Sequence, residues 1–171
     1  MYVADDRAAT ITALSPTGHQ LWRRGTPAES DPNLVGHEHL GAVNAAGELV
    51  TANDDTGKVI FLDSAGHVAD AFNTDLAGAD VDASGIPGGH FPNGACGATL
   101  DPHGNIYVNS CEESYQPRHD TAVYDPHHRL VAGWKRGKLA DSPAFGPEGH
   151  AWAVTTGNRT LVELKVQLPE R

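Results

Sequence analysis

Residues 97–134 read GATLDPHGNIYVNSCEESYQPRHDTAVYDPHHRLVAGW. Near its start, Asp101-Pro102-His103-Gly104 has the chemistry of a tight turn. Proline presets φ, the Asp carboxylate bonds backbone N–H groups just ahead of it, and glycine takes positive φ without a Cβ clash. Apolar and β-branched residues flank that turn in TL and IYV, so the first half of the stretch reads as a β-hairpin. The second half repeats the device: TAVY and LVAGW enclose Asp125-Pro126-His127-His128, with His128 standing where the first turn has glycine. Two hairpins in succession make four antiparallel strands, interrupted by the polar loop CEESYQPRHD at 111–120.

The same order of small or apolar residues, Gly turn, apolar strand, polar loop and second apolar strand recurs on both sides. It is present in GAVNAAGELVTANDDTGKVIFLDSAGHVADAF (41–72), in PAFGPEGHAWAVTTGNRTLVELKV (143–166) and, without its first strand, in MYVADDRAATITALSPTGHQLWRRG (1–25). Met1, Leu49, Ile106 and Ala151 hold equivalent places roughly 45 to 57 residues apart, the period of a propeller blade rather than of a helical repeat. The expectation is therefore an all-β chain: a β-propeller of four-stranded antiparallel blades, about three and a half of them, in one partial domain over 1–171. Its approximate units are 1–25, 39–76, 96–137 and 141–171. Such a chain is expected to expose strand edges and apolar blade faces, and so to associate when expressed alone.

Composition agrees and narrows the functions. The 171 residues include 19 Gly and 11 Pro, which punctuate the sequence too often for a helical bundle. Lys and Arg number 12 against 22 Asp and Glu, a formal charge of -10, which repels a phosphate backbone and argues against nucleic acid as a ligand. No apolar run is long enough for a membrane-spanning helix, and MYVADDRAAT lacks the basic-then-apolar layout of an export signal. Neither Gly-x-Ser-x-Gly nor a phosphate-loop or dinucleotide fingerprint occurs.

TLDPHGNIYVNS (99–110), AFGPEGHAWAVTTGNRTLVEL (144–164) and YVADD (2–6) resemble the repeats of the NHL family and of its relatives, the SMP-30/gluconolactonase-like six-bladed propellers. The resemblance runs over nearly the whole chain and implies an incomplete six-bladed ring. ITALSPTGHQLWRRG (11–25) is also similar to a quinoprotein-type repeat, in which a Trp after the turn packs between blades. Trp22 and Trp134 are read as two such packing residues in matching positions.

In propellers of this kind, residues just before each first strand face the central channel. Counting eight positions back from Gly47, Gly104 and Gly149 reaches His39, Cys96 and Asp141. In lactonase-like relatives such positions hold one divalent cation, and Asp141 in ADSPAFGPEG matches an Asp of their motif, with Ser142 replacing Gly. Asn93 in FPNGACG resembles their Asn-Gly ligand, although it lies farther from its turn glycine. The amidating lyases hold zinc with a channel His from several blades, and only His39 fits that pattern here. The resemblance thus implies His39, Asn93 and Asp141 as metal candidates for calcium, zinc or manganese, with Asp141 also a catalytic candidate. The run His37, Glu38, His39, the densest ligand-type chemistry in the chain, adds Glu38 as the second catalytic candidate, with His39 or Glu38 as the base. His37 and His39 fall on one side of a strand, with Glu38 opposite.

Two insertions interrupt the repeat, AGADVDASGIPGGHFPNGA (77–95) and CEESYQPRHD (111–120). The first begins like a calcium loop at Asp80, Asp82 and Ser84, but has Phe91 where the closing carboxylate belongs, so it reads as a Gly-rich connector. Walking back from the 101–105 turn brings Cys96 opposite Ser110, beside Cys111, if the turn has three residues, and directly opposite Cys111 if it has two. Either register brings the thiols within range of a disulfide that staples the ends of neighbouring strands, the alternatives being two buried free thiols or a redox or metal pair. A disulfide implies an oxidising compartment and hence an exported parent protein. The leading functional expectation is a scaffold binding a small molecule, glycan or protein at the channel mouth. The alternative is metal-assisted hydrolysis of a lactone or ester, in which the cation polarises the carbonyl and activates water.

Overall fold

The computed structural model describes residues 1–5, 8–25, 31–34, 38–53, 56–74, 95–110, 121–134, 143–146, 150–154 and 160–164, the side chains of Glu38 and Trp134 excepted. These form fourteen strands in four antiparallel sheets. The first sheet is β1 (Tyr2–Asp5), β2 (Thr10–Leu14) and β3 (Gln20–Arg24). In the second are β4 (Glu38–Val43), β5 (Leu49–Asn53), β6 (Lys58–Leu62) and β7 (Val68–Asn73). The third holds β8 (Ala95–Leu100), β9 (Ile106–Ser110), β10 (Thr121–Tyr124) and β11 (Leu130–Trp134). The fourth holds β12 (Ala144–Phe145), β13 (Ala151–Val154) and β14 (Leu161–Leu164). Strand order follows chain order in every sheet, the meander of a propeller blade. One 3-10 turn, Pro32–Leu34, is the single helical element among the described residues.

One turn design is used repeatedly. The N–H of Ser15, Asn44, Asp63, Asp101 and Asp125 bonds the carbonyl four residues on, and the residue three places later donates back to the first residue's carbonyl. Each leading side chain then accepts backbone N–H groups: Asp101 Oδ1 takes those of His103 and Asn105 at 2.8 and 2.9 Å, and Asn44 Oδ1 those of Ala46 and Glu48 at 3.0 and 2.9 Å. Satisfying these donors locally holds the turn without strand partners. Gly18, Gly47, Gly66 and Gly104 close four of the turns at φ between 79 and 84°, and His128 closes the fifth at 60°. A side chain in that left-handed region is unusual and calls for a compensating contact. Because alternate connections of a meander fall at alternate ends, all five turns lie on one rim, here termed the turn rim. The opposite rim carries the ends of β5, β7 and β9 and the starts of β4 and β8.

Alternation sends each strand's residues to two different seams. Ile11, Leu49, Ile60 and Leu62 meet between the first and second sheets, with Trp22 packed against them. Val50, Ala52, Val59 and Phe61 meet Ala98, Ile106, Val108, Ala122 and Tyr124 between the second and third. Tyr107 reaches toward the fourth sheet, its ring 4.7 Å from that of Phe145. Burial, and the Asp101 carboxylate beside it, push the Tyr107 hydroxyl above its ordinary range. The seam closure expected of Trp22 is present: its indole N–H donates to the Ser64 carbonyl at 3.0 Å. Its match with Trp134 is not. Trp22 pairs with Ala13 and Trp134 with Thr121, whose counterpart in the first sheet is Ile11, paired with Arg24. The two tryptophans therefore stand one pleat apart on the same face, because their distances from the turn differ by two residues. The side chain of Trp134 lies outside the described residues.

Candidate functional site

At the turn rim, the seam between the second and third sheets opens into a cleft of about 640 Å³. Its wall on one side is the β4–β5 turn, Val43 to Ala46, and on the other the β8–β9 turn, Asp101 to Gly104. Pro126 and His128 of the β10–β11 turn and Phe145 of β12 complete the mouth, with Phe61, Leu100 and Ile106 as the floor. The floor is apolar because these three belong to the buried seam or pack against it. The rim is polar because it is built from turns.

Most polar groups at the mouth are already engaged. Asp101 Oδ2 accepts the Asn105 amide at 2.7 Å and the Tyr107 hydroxyl at 3.4 Å. Asn44 donates its amide to Glu48 at 2.7 Å. His128 stacks on Phe72 with centroids 4.4 Å apart and planes 14° apart, lies 5.3 Å from Phe61, and brings Nδ1 within 3.8 Å of Asp70 Oδ2. His103 is exposed at the edge of the β8–β9 turn. The cleft therefore offers an apolar bed, two imidazoles at its lip and little net charge. Sequence reading missed it because it is a property of three sheets meeting, and the turn residues that wall it looked like punctuation. A signal was present in the pairing of proline with histidine in both DPHG and DPHH.

The residues singled out from sequence lie elsewhere. His39 is half-buried on β4, at the rim opposite the turns, and its carbonyl accepts the Thr51 hydroxyl at 2.7 Å. Glu38 begins the same strand and pairs with Asn53. Asn93, Asp141, His37, Cys111 and both insertions fall outside the described residues, apart from Ala95 at the end of the first. Among the described residues, no three His, Cys, Asp or Glu side chains gather as a metal site. Cys96 is disulfide-bonded. The register from the 101–105 turn holds as far as Gly97 opposite Asn109; then Ala95 faces Ser110, so Cys96 is the extra residue of a bulge and not Ser110's direct partner. No described helix is long and apolar enough to cross a membrane.

No family model matches this chain, and no curated protein does. Solved structures do. A streptogramin B lyase superposes with a TM-score of 0.62 at 10% identity, over 98% of this chain and 47% of its own. A protein of unknown function from Bacteroides caccae does so with 0.59 at 14%, over 99% and 58%. Virginiamycin B lyase from Staphylococcus aureus gives 0.56 at 11%, over 98% and 52%. At these identities the likeness is one of fold, and that fold is the β-propeller. The chain spans about half the length of these structures.

Proposed function

We propose that the chain is a ligand-binding propeller scaffold whose site is the turn-rim cleft, and that the ligand is a small, neutral, largely apolar ring compound. The observation that carries this reading is the cleft itself. Its volume, about 640 Å³, lies within the range of small-molecule sites, and its floor is apolar with a few polar groups at the edge. A protein of charge -10 favours neutral or cationic ligands over acidic ones. The NHL-like and SMP-30-like wording of 99–110 and 144–164 supports a binding role of this general kind. The lyase activity that two neighbours are named for is not carried over, since their identity to this chain is 10 and 11%.

A set of neutral monoaromatic compounds, followed by thermal unfolding, tests the proposal. A binder raises the melting temperature by mass action, and the rise disappears in Ala45→Arg, which fills the mouth from an exposed turn position. Equal shifts in both proteins, or none in either, reject the cleft as the site. The alternative is a metal-assisted hydrolase with His39, Asn93 and Asp141 as ligands and Glu38 as base. It is supported by the placement of His39 on β4, at the rim where β8 also starts. Titration with calcium, zinc and manganese decides it: a stabilisation abolished by Asp141→Ala replaces the first reading. With only two cysteines in the chain, we assign Cys111 as the partner of Cys96, in keeping with an oxidising compartment. Alkylation of both thiols without reductant would refute that pairing.

A further inference from the structure

The five turns built on one design differ at one position. His128 stands at φ 60° where Gly18, Gly47, Gly66 and Gly104 stand in the other four. The turn itself does not require a side chain there, so the reason for one lies in what the ring touches. The imidazole lies on Phe72, with 4.4 Å between centroids and 14° between planes, and has Phe61 at 5.3 Å. Its Nδ1 stands 3.8 Å from Asp70 Oδ2, too far for a hydrogen bond. Trp22, which fills the same gap at the first seam, is fastened by its indole N–H to the Ser64 carbonyl at 3.0 Å. Stacking holds the imidazole, whereas a directed bond also holds the indole. The bed beneath His128 is fixed independently of it: Phe72 meets Tyr124 edge on at 5.0 Å, and Phe61 is buried in the second seam. His128 and Phe61 line the cleft, and Phe72 lies behind the imidazole. An imidazole that swings out therefore adds the face of Phe72 to the cleft, with the Asp70 carboxylate at its edge. Asp70 Oδ1 accepts the Ala71 N–H at 2.8 Å, which leaves Oδ2 as the oxygen turned to the ring.

We propose that His128 is the exchangeable occupant of an aromatic subsite, and that the ligand of the cleft carries a flat heteroaromatic ring with an N–H at its edge. That ring takes the place of the imidazole, stacked on Phe72, and its N–H donates to Asp70 Oδ2. Stacking on a fixed phenyl face selects a planar ring. An ionised carboxylate only accepts, so it selects an N–H over a ring nitrogen that offers a lone pair or a methyl group. The inference rests on the cleft as the ligand site, and adds the chemistry of the ring and the residue that yields to it.

Indole and N-methylindole, which differ in the N–H, are the probes. Each is titrated by calorimetry into the 171-residue protein while the His128 ring protons are followed by NMR. Indole is expected to bind and to move those signals downfield, out of the shielding above Phe72. It should bind about tenfold more tightly than N-methylindole, the worth of a hydrogen bond to a charged acceptor, and Asp70→Ala should erase that preference. His128→Gly empties the place and should bind indole about tenfold or more tightly than the wild type, because no occupant has to leave. Indole binding that leaves the His128 signals unmoved, or that is equal in the wild type and His128→Gly, overturns the subsite. If Ala45→Arg still abolishes that binding, the cleft stands as the site without it. A preference for indole that survives Asp70→Ala, or no binding to the wild type, also overturns the subsite. Binding that moves His128 yet persists in Ala45→Arg rejects the mouth of the cleft and keeps the subsite.

Discussion

The seam between the first and second sheets is closed from the strand side, whereas the seam between the second and third is closed from the turn side. In the first, β3 sends Trp22 and Arg24 across. The indole covers Gly66 and donates to Ser64, and the Arg24 guanidinium donates to the Gly66 carbonyl at 2.8 Å. In the second, the matching positions of β7 are Asp70 and Phe72, paired with Phe61 and Val59 as Trp22 and Arg24 pair with Ala13 and Ile11. Here the turn itself contributes the ring: His128 replaces glycine, stacks on Phe72 and faces Asp70. One aromatic group fills the same gap in each seam. What differs is which side supplies it, and therefore which side must be glycine. The inner strands also differ, because β4 and β8 approach more closely than any side chain between them would allow.

That approach gives the largest expected effect. A Cβ on Gly41 would collide with the Ala98 carbonyl oxygen and lie 2.7 Å from that of Val50, both fixed backbone atoms. Gly41→Ala should cost about 3 kcal/mol or more, at the upper end for overpacking, because no side chain can swing aside. Chemical denaturation measures it, and a loss below about 1 kcal/mol would show that the second seam can open at its inner edge. Gly66→Ala is next. It combines a left-handed φ of 79° with a Cβ placed 2.7 Å from the Trp22 ring. About 2 to 3 kcal/mol is expected, of which only the backbone part, about 1 kcal/mol, should survive in a Trp22→Ala background. Additive losses would mean that the indole does not rest on the turn.

Much of this is legible in the sequence. The period, the four-strand meander and the turn chemistry of DPHG, DSAG and NAAG are local properties, written in consecutive residues, and the sheets follow them with three, four, four and three strands. Trp22 as a seam residue was also legible, through the likeness of 11–25 to a repeat in which a Trp after the turn packs between blades. The match of Trp22 with Trp134 failed for a local reason as well: both hairpins carry the same bulge, and the two residues differ by two in their distance from the turn, which is one pleat. The cleft was not legible, since its floor and walls come from three sheets and its polar residues are engaged within their own turns. His39 counts to a place just before the first strand of its unit and lies within β4, and a ligand set is a relation between blades that no spacing along the chain specifies.

The His128 position separates backbone strain from ring packing. His128→Ala loses the stack with Phe72 and keeps the left-handed φ, so a cost of about 1 to 2 kcal/mol is expected. His128→Gly loses the same stack but removes the strain, and should cost about 1 kcal/mol less than the alanine variant. Equal costs would mean that the turn has relaxed around its side chain, and that the two seams are less alike than their geometry suggests.

The smallest effect is electrostatic, and it compares the turns that serve the two seams. Burial alone would raise the Asp125 carboxyl, but it is outweighed by the Arg129 backbone N–H and guanidinium and the His127 N–H, so its pKa falls well below the ordinary range. The guanidinium reaches Oδ2 through Nε at 2.9 Å and Nη2 at 2.7 Å. Asp63 is lowered too, chiefly by the His67 backbone N–H, with an imidazole 3.4 Å away in place of a guanidinium. A carboxyl whose folded pKa is depressed binds fewer protons folded than unfolded. Its contribution is therefore complete above the unfolded value, about 4, and is lost as pH falls below that toward the folded value. Denaturation midpoints between about pH 5 and 2 should fall with pH in the wild-type chain, and Asp125→Asn should flatten that slope more than Asp63→Asn. The reverse order would place the stronger acid-sensitive turn at the first seam and remove the two-donor Arg129 contact to Oδ2 as the cause.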